Sequence, residues 1–277
     1  MRFITKSHSL PPASYSLRVS SPFSRSFKEK DHLMNEKTRV VFTQGGKGGV
    51  GKTEVLNCLI DWYRQQGHSP IMLDFDIENA NKSGLQNFFP DATKLDVHRE
   101  GTLDEFFDIC SESSTGLVVA DLGAGAGEVT YQWFDEAFED AEAEGILFTS
   151  IGVTTEDAGA VQSLLTWGAR LQDRVDYLIV LNEQQNPRSD FKYWNAEPKV
   201  AEFKKIFSPT VMTMDSRIQE FQAELRNQSG TLQKVIEGEI DTDFFHRTKN
   251  RIRAKRYQRG LYKGFDEAAS ILLPHID

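Results

Sequence analysis

Cysteine is almost missing from the 277 residues, with Cys58 and Cys110 the only two. They lie too far apart for a short metal-binding motif and are too few for a disulfide framework, which points to a reducing compartment. Long apolar runs are missing too. None approaches the roughly 18–20 residues of a membrane span, so we expect a soluble, cytoplasmic protein. Positive charge is not in excess: 32 Lys and Arg against 41 Asp and Glu give a formal net charge of −9. That excludes a surface that coats nucleic acid or anionic lipid as a whole, while leaving room for a local basic patch. What is present, 39 % hydrophobic and 11 % aromatic residues, suffices for a substantial core and rules out a wholly disordered chain.

Acid is scarce at the start of the chain. Residues 1–33 contain eight serines, six Lys or Arg, three prolines and two acids, without apolar periodicity. We expect residues 1–37 to form a disordered basic, Ser-rich arm. Its composition is that of an organelle transit peptide without the apolar stretch of a secretory signal, and Met34 offers an alternative start. From residue 38 the pattern turns to strand, turn and helix. Arg39–Thr43 is a β-rich run that ends in Gly45, Gly46, Gly48, Gly49 and Gly51. A helix follows to Gln66, with Val55, Leu59, Trp62 and Tyr63 at spacings of three and four and Gly67 as its stop. Pro70–Phe75, Leu117–Ala120, Ile146–Val153 and Tyr177–Leu181 read as further buried strands. Val161, Leu164, Leu165 and Gly168 share a helical face between the last two. Apolar strands alternating with helices predict an α/β domain over residues 38–245, a mostly parallel β-sheet covered by helices on both faces. Residues 246–277 are expected to be a basic C-terminal helical segment packed on the same domain.

The strongest signal is Gly46-Lys47-Gly48-Gly49-Val50-Gly51-Lys52-Thr53, which fits G-x-x-x-x-G-K-[ST] between a strand and a helix. Glycines let the backbone curl so that its N–H groups face phosphate oxygens, and the helix N-terminus adds partial positive charge. Lys52 then reaches the β- and γ-phosphates while the Thr53 hydroxyl ligates Mg²⁺. A glycine-rich turn with an incidental lysine is the bland reading, and these flanks disfavour it. The magnesium shell needs an acid at the end of a buried strand. Asp121 closes Leu117-Val118-Val119-Ala120-Asp121, and the Gly125 amide in the following turn is placed to approach the γ-phosphate. In Leu73-Asp74-Phe75-Asp76, alternation turns the two carboxylates the same way, at the sheet edge where such folds bind ligands. Asp76 is the candidate for positioning the attacking water, and Asp74 for supporting Lys52 or a magnesium water.

These residues resemble the ParA/MinD group of P-loop ATPases. The resemblance rests on the deviant loop Lys47 to Thr53, on Asp74-x-Asp76 and on Asp121-Leu122-Gly123-Ala124-Gly125, and it extends over residues 38 to about 235. It implies the P-loop NTPase fold, ATP and Mg²⁺ as cofactors, and a nucleotide-sandwich homodimer in which Lys47 reaches the partner's phosphates. A cation delivered in trans couples ATP binding to dimerisation. It also implies that Asn182 reads the adenine and that an adaptor protein stimulates hydrolysis. Met212–Gly230 resembles the last base-side strand, loop and helix, and the stretch around Phe106 and Phe107 is similar to the conjugal-transfer branch. The segment Asp76-Ile77-Glu78-Asn79-Ala80-Asn81 departs from the family's Asp-Pro-Gln-Gly-Asn switch, which bears on hydrolysis rate more than on binding.

Residues 246–264 carry Arg247, Lys249, Arg251, Arg253, Lys255, Arg256, Arg259 and Lys263 and no acid. They form either a non-specific DNA-backbone contact or a solvated helix. A membrane-binding tip is disfavoured by the acids of the final stretch. Asp135–Glu144, with six acids beside Trp133, Phe134 and Phe138, reads as a surface helix. The expected function is a dimerising ATPase that positions, segregates or transfers a cargo such as plasmid DNA or a protein complex. The alternatives are a nucleotide-gated binding module without significant hydrolysis and a metabolic amide-forming enzyme on the same fold.

Overall fold

The run Thr-Arg-Val-Val-Phe-Thr forms β1, Thr38–Thr43, with all six side chains buried. Burial on both faces is what a central strand of a parallel sheet requires. In the computed structural model, which describes residues 37–44, 46–75, 84–99, 101–123 and 127–274, β1 is the middle strand of seven. The others are β2 (Ile71–Asp74), β3 (Thr93–Lys94), β4 (Leu117–Asp121), β5 (Ile146–Thr154), β6 (Asp176–Asn182) and β7 (Thr210–Met214). Their order is β3-β2-β4-β1-β5-β6-β7, and each neighbouring pair is parallel. The order reverses at β1, so the carboxyl end of β1 faces the crevice where doubly wound sheets place ligands. The exposed two-residue β3 has no periodicity to betray it in the sequence.

Parallel neighbours need crossovers. Seven helices longer than eight residues are described: α1 (Lys52–Gln65), α2 (Thr102–Ser111), α3 (Gly127–Ala143), α4 (Ala158–Leu171), α5 (Pro198–Phe207), α6 (Gln219–Asn227) and α7 (Thr248–Glu267). Alternation along each strand divides the sheet between two cores. Val41, Val119 and Ile151 join the core that holds α1, α6 and α7. Val40, Phe42, Val118 and Phe148 join the one that holds α2, α3, α4 and α5. The second core is rich in rings, with Phe134 lying 6.2 Å from Phe42 and 5.0 Å from Phe148 between centroids.

The basic terminal segment is α7. Tyr257, Leu261 and Phe265, four residues apart, are buried with Ala254, and Phe265 packs 5.9 Å from Trp62 of α1. The Trp62 indole N–H donates to Asp266 at 2.9 Å. At Gly264 a β-carbon would lie 2.8 Å from the Met212 sulfur, so the missing side chain lets α7 approach β7.

Candidate nucleotide site

The loop between β1 and α1 emerges at the carboxyl edge of the sheet. Gly51, which precedes α1, has φ 103°, and a β-carbon on it would lie 2.6 Å from the Asn182 amide nitrogen. Both the backbone conformation and the space therefore demand glycine. Val50 is buried and anchors the loop from below, whereas a β-carbon on Gly48 would meet no atom within 4 Å. No side chain caps α1, so its first N–H groups and the positive end of its dipole are turned toward the loop. That combination favours an anion.

Three side chains meet behind the loop. The Thr53 hydroxyl donates to Asp121 Oδ2 at 2.7 Å, and the Thr43 hydroxyl donates to Asp121 Oδ1 at 2.9 Å. Thr43 in turn accepts the Leu122 N–H at 3.0 Å. Burial pushes the Asp121 carboxyl up to about 6, against the two hydroxyl bonds, while the neighbouring Asp74 charge raises it further. Asp74 lies directly across the sheet from Asp121, is fully buried and accepts the Gln86 N–H at 3.0 Å. A β-carbon at Gly84 would come within 2.6 Å of the Asp74 carboxylate, so that glycine makes room for it. The Lys52 ammonium donates to the Lys47 carbonyl at 3.0 Å, folding back over the loop. Mg²⁺ takes hard oxygen donors, and the Thr53 hydroxyl beside the Asp121 carboxylate supplies them. No cluster of three or more His, Cys, Asp or Glu side chains able to hold a metal occurs among the described residues. Asp76 and Gly125 lie outside the described residues.

Lys47 is half-exposed, and its ammonium sits 3.4 Å from Asp157 Oδ1. Its backbone N–H donates to the Ser163 hydroxyl at 3.2 Å. Asp157 caps α4 by accepting the Ala160 N–H at 2.9 Å, and that bond is the main reason its carboxyl is held below the ordinary value, with Lys47 adding to it. Asn182 is buried at the end of β6. Its amide nitrogen donates to the Val50 carbonyl at 2.7 Å and its oxygen accepts the Gln184 N–H at 2.8 Å. Gln184 also holds the loop, donating to the Gly49 carbonyl at 3.0 Å. Behind them, the buried Arg217 pairs with Glu54 in the first turn of α1.

The structure thus brings Lys47, Lys52, Thr53, Asp74, Asp121 and Asn182 to one edge of the sheet. Sequence reading missed Thr43, Asp157, Gln184 and Arg217. Thr43, the last residue of the strand feeding the loop, had a positional signal; the others reach the site only through chain reversals far apart in sequence. Both cysteine thiols are free and buried, and burial pushes each up to about 12, so neither supplies a thiolate. Arg247, which precedes α7, and Lys249, Arg251, Lys255, Arg256, Arg259 and Lys263 on it are exposed. Arg253 is half-buried and donates to Asn250 at 2.8 Å.

No protein-family model and no curated protein matches the chain by sequence. Among solved structures it is similar to the MinC:MinD cell division protein complex of Aquifex aeolicus, at 12 % identity and a TM-score of 0.50, covering 86 % of this chain and 98 % of that one. The MinD cell division protein of the same organism is matched at 11 % identity and a TM-score of 0.47, covering 84 % and 97 %. With the parallel sheet and the loop at its central strand, the first likeness gives the architecture: the chain has the α/β fold of P-loop NTPases.

Proposed function

We propose that the chain is an Mg²⁺-dependent ATPase switch of the ParA/MinD kind, which binds ATP, dimerises on it and hydrolyses it slowly to release a cargo. The observation that carries this reading is the convergence of Lys52, Thr53 and Asp121 behind a glycine loop at the uncapped N-terminus of α1. Loop and helix amides cradle the phosphates, and Lys52 exchanges its bond to the Lys47 carbonyl for phosphate oxygens. Thr53 and Asp121 are the residues that would hold Mg²⁺. When bound, the ion neutralises phosphate charge. Asp74, across the sheet from Asp121, supports Lys52 or a magnesium water, and Asp76 positions the attacking water.

Lys47 reaches a partner's phosphates only by leaving Asp157, so the dimer gains a second cation as each chain gives up an exposed ion pair worth little. Asn182 faces the base side of the loop, and reading the adenine requires it to exchange one of its two internal bonds. The solved complex named above joins MinD to MinC; a protein adaptor that stimulates hydrolysis fits the same logic here. The exposed cations of α7 suit non-specific contact with a DNA backbone, and the cargo on this reading is DNA or a complex bound to it.

The deciding experiment is titration calorimetry with ATP and Mg²⁺. Lys52→Ala removes two charge-assisted bonds and is expected to weaken binding at least about 100-fold with an unchanged melting temperature. Undiminished binding would remove the nucleotide site from the proposal.

A further inference from the structure

Ile252 is the most exposed large apolar side chain among the described residues, at 61 %. It stands on α7 among the exposed Arg251, Lys255 and Arg259, on the side opposite the buried Tyr257 and Leu261. The three cations recur every fourth residue, so they form one row with steps of about 6 Å. Among the described residues, the one ion pair on α7 joins Lys263 to Glu267. The row is therefore free to meet an outside charge.

A matching row of acids lies along α3. Glu136, Asp140 and Glu144 are exposed at the same four-residue interval, and the Glu144 N–H still donates to the Asp140 carbonyl at 3.0 Å, which keeps the last of them on the helical path. Of the acids from Asp135 to Glu144, Asp135 alone forms an ion pair among the described residues, with Arg174 at 2.7 Å. Beside the acid row runs a groove of about 480 Å³, lined by Leu103 and Phe107 of α2 and by Trp133 and Ala137 of α3. The Phe107 and Trp133 rings, 5.2 Å apart, bridge its floor. Asp104 stands on one rim and Glu136 on the other. Arg99 lies at one end of the groove, and its charge is taken by Glu105. An apolar groove rimmed by acid suits a helix whose apolar side chain is flanked by cations.

We propose that the groove between α2 and α3 receives α7 of a second copy of this chain. Ile252 packs against Phe107 and Trp133, while Arg251, Lys255 and Arg259 face Glu136, Asp140 and Glu144. Both halves of the contact are present on one chain, with opposite charges at the same spacing. DNA does not account for the pair: its phosphates have no use for Ile252, and the acid groove repels them. The contact occupies the cations assigned to DNA above, so the second copy and DNA exclude one another on α7. It rests on none of the ATP reading. Salt screens exposed charges, and the contact is expected to be open in dilute chain at physiological ionic strength.

The test is sedimentation velocity of the full chain, without nucleotide or DNA, at about 100 μM in about 0.05 M and about 0.5 M NaCl. A mean mass at least about 1.5 times that of the monomer is expected at low salt, and the monomer alone at high salt. Two neutralised variants, Glu136→Gln with Asp140→Asn and Glu144→Gln, and Arg251→Gln with Lys255→Gln and Arg259→Gln, should each stay monomeric at low salt. Mixed, they should form a one-to-one dimer, because each brings the face that the other has lost. Ile252→Ser should weaken the native association about tenfold. All the altered side chains are exposed, so an unchanged melting temperature shows that the variants fold. A native chain that is monomeric in both salts overturns the proposal and leaves the groove to a basic helix of another protein. A mixture that stays monomeric overturns it, as does either variant alone associating as strongly as the native chain.

Discussion

Asp121 shows how one residue joins stability to function. A strand-end carboxylate is buried so that its oxygens face the loop, and burial pushes it from an ordinary 3.8 up to about 6. A group whose folded value is raised holds its proton more tightly in the native state. Its contribution to stability is full below about pH 4, declines as pH rises and is gone above about pH 6. At about 1.4 kcal/mol per pH unit the loss is on the order of 3 kcal/mol. Chemical denaturation between pH 4 and 7 should show this decline in the native chain and a flatter profile in Asp121→Asn. Equal slopes would show that Asp121 does not hold its proton in the folded protein. Asp61, likewise pushed up to about 6 by burial, adds a similar slope that the substitution leaves in place. Lys52, Thr53 and Asp121 were legible because loop chemistry fixes residue types at fixed spacing. Thr43 was not, because a strand-end threonine becomes a brace only when β1 and β4 lie side by side.

At the scale of the element, α7 carries two messages on one cylinder. Tyr257, Leu261 and Phe265 form the stripe that buries against α1 and β7, while Arg251, Lys255 and Arg259, also four apart, face outward. Side chains on opposite sides of a helix can be changed independently. Reversing Arg251, Lys255 and Arg259 to Glu should therefore leave the melting temperature within about 1 °C. It should also weaken non-specific DNA binding and lower the salt slope of the affinity by roughly 3. A variant that binds DNA with the parental affinity and slope would take α7 out of the DNA contact. Periodicity made five of the seven strands and α1 readable to within a residue or two, but it gave no reading of α5 and started α3 eight residues late. It missed β3, where two residues cannot display a period.

At the scale of the molecule, the proposal turns on Lys47. Sedimentation in ATP and Mg²⁺ is expected to show a dimer for the native chain and a monomer for Lys47→Ala, which should still bind nucleotide. A dimer that survives the substitution counts against the sandwich arrangement. The overall charge of −9 had spoken against nucleic acid, yet it averages an acidic body with the basic face of α7. By itself, the sequence determined the loop, the alternating strands and helices and hence the two-sided parallel sheet, because local periodicity and glycine placement carry that information. Only the tertiary structure decided which distant side chains meet: Asp157 with Lys47, Asn182 and Gln184 with the loop, and Arg217 with Glu54. Those pairs span from 110 to more than 160 positions of chain, and nothing in local propensity or periodicity specifies a contact at that separation; it follows from the order in which the strands assemble.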